Sequence, residues 1–155
     1  MRVSFQNNGK IDPRCITTIG ISVKETENPI GFFGTGLKYA IAIILRNGGN
    51  ISIWSGIEHM DFTAKSISVR GETVDIVCMN GRELGFTTSL GKTWEVWQAL
   101  REIYCNTLDE NGVSEIGEIS PSEDHTTIIV DLDEFTNCYR NLDKYILQTK
   151  PIHSG

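Results

Sequence analysis

Three polar residues at helical spacing are the first candidates for chemistry. Glu102, Asn106 and Asp109 lie at i, i+4 and i+7, so they share one face of a predicted helix. A glutamate can orient or deprotonate a water molecule, and the oxygen of an asparagine one turn away can ligate a hard cation. Taken alone, the same pattern is also typical of the solvated face of an amphipathic helix.

A glycine-rich segment is the second candidate. Gly31, Gly34 and Gly36 stand directly ahead of a predicted helix, where free backbone N–H groups favour phosphate and glycine allows close approach. The spacing G-x-x-G-x-G differs from the G-x-G-x-x-G of dinucleotide-binding folds, and the sequence has no Walker A motif. A turn followed by close helix packing explains these glycines equally well.

Hydrophobic periodicity predicts the elements that must position these residues. A strand over residues 1–6 runs into the turn Asn7-Asn8-Gly9, and the helix after the glycine-rich segment stops at Asn47-Gly48-Gly49. A second helix covers residues 93–109, with Thr93 as its N-cap. Further strands are predicted at residues 50–54, 61–69, 73–78, 84–89 and 126–130, and a last helix at residues 134–147 follows a polar loop over residues 110–125.

Helices and strands that alternate in blocks favour an α+β fold. We expect a two-layer sandwich of helices on one mixed, mostly antiparallel sheet. The sequence contains no repeat and no linker, so we expect one domain over residues 1–150 and a short tail over residues 151–155.

Composition excludes several classes of function. Among 155 residues, 14 Lys+Arg stand against 20 Asp+Glu, giving a formal net charge of −6. An acidic chain without a basic run is a poor candidate for coating nucleic acid or a membrane surface. The four cysteines and three histidines are scattered, which argues against a zinc site. No secretory signal or membrane-spanning stretch is visible, so we expect a cytoplasmic protein with reduced thiols.

Several segments together resemble the GHKL (Bergerat-fold) ATPase superfamily, which includes gyrase B, MutL, heat-shock chaperones, histidine kinases and MORC proteins. The pattern Glu102-x-x-x-Asn106-x-x-Asp109 is similar to its N box, and residues 30–38 are similar to its second glycine box, at the ATP lid. Residues 3–11 resemble the first glycine box, D-x-G-x-G, and residues 85–88 resemble the strand that closes the adenine pocket. Residues 19–24 resemble a stretch that the MORC and chaperone branches carry between the two glycine boxes.

The motif order differs from that of the ordinary family, in which the N box comes first. Here the first glycine box leads, and the second glycine box, the threonine-containing strand and the N box follow. This is the family order cut open before the first glycine box, with the old ends joined near residues 90–93. Circular permutation is physically tolerable because domain termini often lie close together. The hypothesis covers residues 1–133 and requires the strand at Val3–Phe5 to lie beside the strand of residues 126–130.

The resemblance implies roles for the matched residues. Glu102 would be the general base or the residue that orients water, Asn106 would be the Mg²⁺ ligand, and Asp109 would support the pocket. Backbone amides near the helix start would bind the phosphates of ATP, and a lysine would counter their charge. The implied ATP-binding positions besides these are Asn7, Gly9, Gly31, Gly34, Thr35, Gly36, Leu37, Lys38 and Thr88.

The first glycine box departs from the family pattern. Asn7 stands where the family has an Asp that accepts a hydrogen bond from the adenine amino group, and Ile11 replaces the second glycine. The departure weakens adenine recognition or changes the base specificity. Asp131 or Asp133 is a candidate for the missing carboxylate, although the end of a strand and the start of a helix explain both residues better.

The leading functional hypothesis is an ATP- and Mg²⁺-binding domain of GHKL type, acting as a slow ATPase or a nucleotide-controlled switch. The alternative is a non-catalytic interaction module, such as a small regulatory or inhibitor protein that keeps a degraded nucleotide-binding fold. That alternative predicts a homodimer or a partner protein in place of nucleotide binding. An enzyme acting on a small molecule through Glu102 alone has little support, because no His or Cys partner can be placed beside it.

Overall fold

A computed structural model of the chain describes residues 1–17 and 35–146. The strands are β1 (Arg2–Asn8), β2 (Asn50–Ser55), β3 (Glu58–Val69), β4 (Glu72–Met79), β5 (Arg82–Thr87), β6 (Val113–Ile116) and β7 (His125–Asp131). The helices are α1 (Arg14–Thr17), α2 (Thr35–Arg46), α3 (Val96–Asp109), α4 (Asp133–Arg140) and α5 (Leu142–Tyr145). The predicted α+β class is confirmed.

The strands form one seven-stranded sheet in the order β5-β4-β3-β2-β7-β1-β6. Every pairing between the described strands is antiparallel, so the parallel part of the expected mixed sheet is not found in this portion of the chain. Tight turns explain the β3–β4 and β4–β5 hairpins, since Arg70-Gly71 and Asn80-Gly81 have positive φ at both central residues.

Strand β1 lies between β7 and β6, although most of the chain separates it from them in sequence. Val3 is opposite Val130 and Phe5 is opposite Ile128 in antiparallel register. This is the adjacency that a permuted motif order requires. Val3 and Phe5 are fully buried, so the strand presents its apolar side to the helices.

Helices α2 and α3 pack on one another and on this apolar side of the sheet. In α2, Leu37, Ile41 and Ile44 are fully buried, at the spacing that the sequence predicted. In α3, the buried positions Val96, Leu100 and Ile103 form the corresponding stripe. The two helices therefore share one core with the central strands, and their polar positions are left at its margin.

Three predictions about the elements after β5 are wrong. Helix α3 begins at Val96 with Glu95 as its N-cap, not Thr93, because the Glu95 N–H donates to Oε1 of Gln98 at 2.7 Å. The predicted loop after α3 contains β6, an edge strand whose mostly exposed residues lack an apolar alternation. The predicted last helix is interrupted at Asn141, whose backbone leaves the helical region (φ −121°, ψ 41°) and separates α4 from α5.

Helix α4 fastens β1 to the rest of the domain. The Phe5 ring meets the rings of Phe135 and Tyr139 edge to face, with centroids 6.1 and 6.2 Å apart. Thr136 Oγ1 donates to the Met1 carbonyl at 2.6 Å. The Tyr139 hydroxyl also shares a hydrogen bond of 2.8 Å with Ser114 Oγ on β6. These contacts fix the strand that carries Asn7.

Arg46, at the end of α2, organises the segment between β5 and α3. Its guanidinium donates to the carbonyls of Thr88 and Leu90 at 2.8 Å, of Gly91 at 2.7 Å and of Trp94 at 3.0 Å. One planar, permanently charged group thus satisfies four carbonyls of an irregular segment. This segment includes the junction proposed for the permuted order.

We expect Arg46→Ala to lower the free energy of unfolding by about 2–4 kcal/mol, because bonds from a charged donor are strong and part-buried carbonyls lose their partner. Arg46→Lys should lower the free energy of unfolding by an intermediate amount, because an ammonium group has three N–H donors and lacks the planar geometry of the guanidinium. Urea titration measures both variants against Arg82→Ala, an exposed arginine of β5 that should change stability by less than about 0.5 kcal/mol. An Arg46→Ala midpoint equal to that of the control contradicts the anchoring role.

The Cys138 thiol gives the fold a predictable response to alkaline pH. Burial raises the pKa of Cys138 above its ordinary value of 9.0, Glu134 raises it further, and a hydrogen bond with Tyr145 opposes the change. As the pH rises, the Cys138 thiol ionises in the unfolded chain before it ionises in the folded protein. The contribution of this thiol to the free energy of unfolding is therefore complete below about pH 9 and is lost as the pH rises through the folded pKa. Cys138→Ala and Cys138→Ser should both show a shallower fall in unfolding free energy between about pH 8 and 10.5, measured by urea titration. A fall as steep as in the wild type contradicts the prediction, and the agreement of the two variants controls for their different packing.

Candidate functional site

The start of α2 touches the polar face of α3 at Gly36 and Glu102. A Cβ atom added to Gly36 would lie 2.2 Å from Oε2 and 2.7 Å from Oε1 of Glu102. The carboxylate therefore lies directly on the backbone of the first turn of α2, where only glycine leaves it room. The N–H groups of a first helical turn have no partner inside the helix and carry the positive end of its dipole, so they favour an anion.

Asn106 extends this contact by one helical turn. Its Nδ2 donates to Glu102 Oε2 at 2.9 Å, and both side chains are partly buried. The amide nitrogen is thereby used, and Oδ1 is left as an acceptor that can ligate a cation. Asp109 is exposed in the last turn of α3, about 10 Å from Glu102 along the helix axis. Glu102 and Asn106 form the predicted pair, and Asp109 lies at its edge.

The end of β1 meets the end of α3 at Gly112. A Cβ there would lie 2.5 Å from the Gln6 carbonyl oxygen, 2.8 Å from Thr107 Cγ2 and 3.1 Å from Asn7 Oδ1. Asn7 is only 2% exposed, and its Nδ2 has no hydrogen-bond partner among the described residues. Thr107, its neighbour, follows Asn106 in α3. The polar end of β1 is thus brought beside the helix that carries Glu102 and Asn106.

The turn after Asn7 is held by side chains from two other strands. Thr126 Oγ1 donates to the Gly9 carbonyl at 2.7 Å and accepts the Ile11 N–H at 2.8 Å. Ser55 Oγ donates to the Ile11 carbonyl at 2.6 Å. The Gly9 N–H donates to the main-chain carbonyl of Asp124 at 2.6 Å, so both backbone polar groups of this predicted ligand-binding glycine are used inside the protein.

Other predicted positions lie away from this cluster. Thr88 is near Arg46, at the opposite end of α2 from Gly36 and about 15 Å along that helix. Asp131 pairs with Arg2, five residues along β1 from Asn7 and on the other face of the sheet, and Asp133 begins α4. Both aspartates therefore lie too far away to supply the missing carboxylate.

The remaining predicted positions lie partly within the described residues and partly outside them. Leu37 is fully buried in the core and Lys38 is 9% exposed, both in the first turns of α2. Gly31 and Gly34, together with residues 19–24 of the resemblance, lie outside the described residues. Thr35 is the first residue of α2, and its side chain is likewise outside them.

Cys105 follows Glu102 by three residues in α3 and is partly buried. Burial raises the pKa of Cys105, and the charges of Asp109 and Glu102 raise it further, while Arg101 opposes them. A thiol with a raised pKa stays protonated at neutral pH and is a weak nucleophile. The Cys105 thiol is therefore a poor candidate for nucleophilic chemistry at neutral pH.

Sequence reasoning missed the residues that hold the site together. Thr126 lies two residues before Ile128 and four before Val130, so its side chain is on the same inward face of β7. This spacing indicates a polar side chain that faces the core. Thr107 extends the apolar stripe of α3 and bonds back to the Ile103 carbonyl at 2.8 Å. Ser55 and Gly112 carried no signal, because their importance depends on strands and helices that are distant in sequence.

No family model, curated protein or solved structure matches the chain. Within residues 1–17 and 35–146, no group of three or more His, Cys, Asp or Glu side chains is arranged to hold a metal ion. None of the helices in those ranges has both the length and the apolar character that crossing a bilayer requires.

We expect Gly36→Ala to disturb the Glu102–Asn106 pair while leaving the fold intact. The added methyl meets the flexible end of Glu102, and alanine favours a helix by about 1 kcal/mol over glycine, so the net change in stability should stay within about 1 kcal/mol. The side-chain amide resonances of Asn106 should shift in ¹H–¹⁵N spectra of Gly36→Ala and of Glu102→Ala alike. A shift in Glu102→Ala without one in Gly36→Ala would show that the carboxylate does not depend on Gly36.

Proposed function

We propose that the chain is an ATP- and Mg²⁺-binding domain of GHKL type, in a circularly permuted order. The observation that carries the proposal is that Gly36, at the start of α2, meets Glu102, which in turn accepts a hydrogen bond from Asn106. The glycine-rich segment and the polar helix face are far apart in sequence and were selected independently as candidates. Their contact in space is what a phosphate and metal site built from both would need.

The arrangement of β1 gives separate support. The strand that resembles the first glycine box lies beside β7, as the permuted order requires. Its polar end, Asn7, faces the same side of the sheet as Phe5 and lies next to Thr107. The strand that resembles the first glycine box and the start of α2 therefore each contact α3, at Thr107 and at Glu102 respectively.

The residues are better suited to binding an anionic ligand together with its cation than to binding a metal ion through protein ligands alone. The backbone N–H groups at the start of α2 and the ammonium of Lys38 supply positive charge for phosphate oxygens. Asn106 Oδ1 supplies an oxygen for Mg²⁺, which typically takes one or two protein oxygens and completes its shell with phosphates and water. When bound, Mg²⁺ would neutralise charge that develops on the phosphates.

Within this proposal, Glu102 has two tasks. Its carboxylate holds Asn106 through Oε2, which fixes the direction of the amide oxygen. It also lies beside the phosphate-binding turn, where it would orient or deprotonate the attacking water. Phosphoryl transfer depends mainly on positioning and electrostatics, so a slow ATPase or a nucleotide-controlled switch are both consistent with these contacts.

A cytoplasmic location is part of the proposal. Cys78, Cys105 and Cys138 are free thiols, and a reducing compartment preserves such thiols. ATP and Mg²⁺ are both abundant there, and the acidic chain relies on local donors for binding phosphate.

Calorimetric titration of the full chain with ATP, with and without Mg²⁺, tests the proposal. We expect binding that strengthens with Mg²⁺, and Asn106→Ala should lose the Mg²⁺-dependent part, because it removes the ligating oxygen. Glu102→Ala should abolish phosphate release while retaining ATP binding. Glu110→Ala, which removes a carboxylate from the C-cap of the same helix, is the matched control and should retain both.

No heat of binding and no thermal shift at millimolar ATP and Mg²⁺ would contradict the proposal. In that case the non-catalytic interaction module becomes the preferred function, and light scattering for a homodimer or purification with a partner protein would follow. An Asn106→Ala variant that keeps its full response to Mg²⁺ would contradict the assigned metal ligand.

A further inference from the structure

A cleft of about 240 Å³ lies on the face of the sheet opposite α2 and α3. Ser52 and Trp54 line it from β2, where they alternate with buried residues of the helical core. His59 and Asp61 of β3 and Ile129 of β7 line it as well. Pockets that enclose a small-molecule ligand typically measure about 300–1,000 Å³, so this cleft is sized for a smaller group, such as one side chain of a partner protein.

Trp54 gives this face of the sheet an aromatic surface. Outward positions of an antiparallel sheet that meet water are normally polar. The Trp54 indole instead stacks on the imidazole of His59, with ring centroids 4.2 Å apart and an interplanar angle of 11°. Trp54 is half-buried and His59 is exposed, so the pair borders the cleft beside the aliphatic side chain of Ile129. Tryptophan is enriched among the residues that dominate protein interfaces.

Asp61 places a negative charge next to the aromatic pair. It lies diagonally across the strand pair from Trp54, where Cβ atoms are about 7–8 Å apart and long side chains reach each other. Ser52 Oγ donates to Asp61 Oδ1 at 3.1 Å, which holds the carboxylate in place. Within residues 1–17 and 35–146, no positively charged nitrogen lies within 4.0 Å of the Asp61 carboxylate. An oriented carboxylate thus stands beside an aromatic ring without an ion-pair partner in that part of the chain.

The other end of the cleft is already paired. The Arg2 guanidinium contacts the carboxylates of Glu118 and Asp131. The N-terminal ammonium also contacts Asp131, but it is shared with Asp133. With histidine counted as neutral, three carboxylates and one guanidinium line the cleft, which leaves it negatively charged. The charge of the lining and the net charge of −6 both favour a positively charged ligand.

We infer that this cleft binds an arginine side chain presented by a partner protein other than a second copy of the chain. A guanidinium stacks on an aromatic ring and donates paired hydrogen bonds to a carboxylate, which are the groups that Trp54 and Asp61 offer. The aliphatic part of the arginine would pack on Ile129. Two copies of the chain, each with a charge of −6, would repel one another. This binding is independent of the proposed nucleotide site, because the cleft and Glu102 lie on opposite sides of the sheet.

The test is a titration of the full chain with the capped peptide acetyl-Gly-Arg-Gly-amide, followed in ¹H–¹⁵N spectra. The indole N–H of Trp54 and the backbone N–H groups of Ser52 and Asp61 should shift and saturate, with a dissociation constant of about 1–10 mM for a single side chain. The same peptide with citrulline in place of arginine keeps the shape and removes the charge, so it should bind at least about tenfold more weakly. A lysine peptide should bind about two- to fivefold more weakly than the arginine peptide, because an ammonium lacks the planar geometry.

Variants of the cleft provide a second measurement. Asp61→Asn keeps the size of the side chain and an acceptor for Ser52, so it should fold and bind the arginine peptide as weakly as wild type binds the citrulline peptide. Trp54→Ala should weaken binding about fivefold or more, and Trp54→Phe, which keeps a ring, should stay within about threefold of wild type. Asp143→Asn is the matched control, because Asp143 is exposed on α5, which lies with α3 on the other side of the sheet, and it should bind as wild type does.

Several results would overturn the inference. They are the lack of a saturable shift at about 20 mM arginine peptide, equal binding of the arginine and citrulline peptides, and wild-type affinity in a folded Asp61→Asn variant. Free arginine that binds more tightly than the peptide would assign the cleft to a small molecule. A dimer of the chain alone, detected by light scattering and dissociated by the arginine peptide, would assign it to a second copy.

Discussion

The insertion of β1 between β6 and β7 is the constraint on which the rest of the molecule depends. Its hydrogen-bonding partners on both sides come from the last third of the chain, so the two ends of the sequence must fold as one unit. The Phe5 ring then fills the space under α4, and Asn7 reaches the end of α3. Without this pairing, residues 7–11 would have no strand beside them to fix the turn.

The contact between α2 and α3 has a different character from the apolar core around it. Most of the interface is aliphatic, but at Gly36 a carboxylate lies on the backbone of the other helix. A larger residue at position 36 would favour the helix locally and would displace Glu102. At this point the position of the Glu102 carboxylate, and not apolar packing, limits which residue can occupy position 36.

The quality of prediction from sequence follows the locality of each interaction. The β2–β5 meander was predicted nearly to its ends, because alternation and the turns Arg70-Gly71 and Asn80-Gly81 are local signals. Strand β6 was missed because its mostly exposed residues show no apolar alternation. It forms through its pairing with β1, which is distant in sequence. The break at Asn141 was missed because the side-chain stripe continues across it. The shared face of Glu102 and Asn106 was predicted from helical spacing, whereas the burial of Asn7 beside Gly112 was not.

The sequence by itself determined the α+β class, the extent of most elements and the polar face of α3, since periodicity and turn residues encode these locally. It also supplied the resemblance that links the glycine-rich segment to that helix. Only the tertiary structure decided that Gly36 meets Glu102, that Thr126 and Ser55 hold the turn after Asn7, and that Thr88 and Asp131 lie elsewhere. Those outcomes depend on the strand order and on helix packing, which join residues that no local pattern relates.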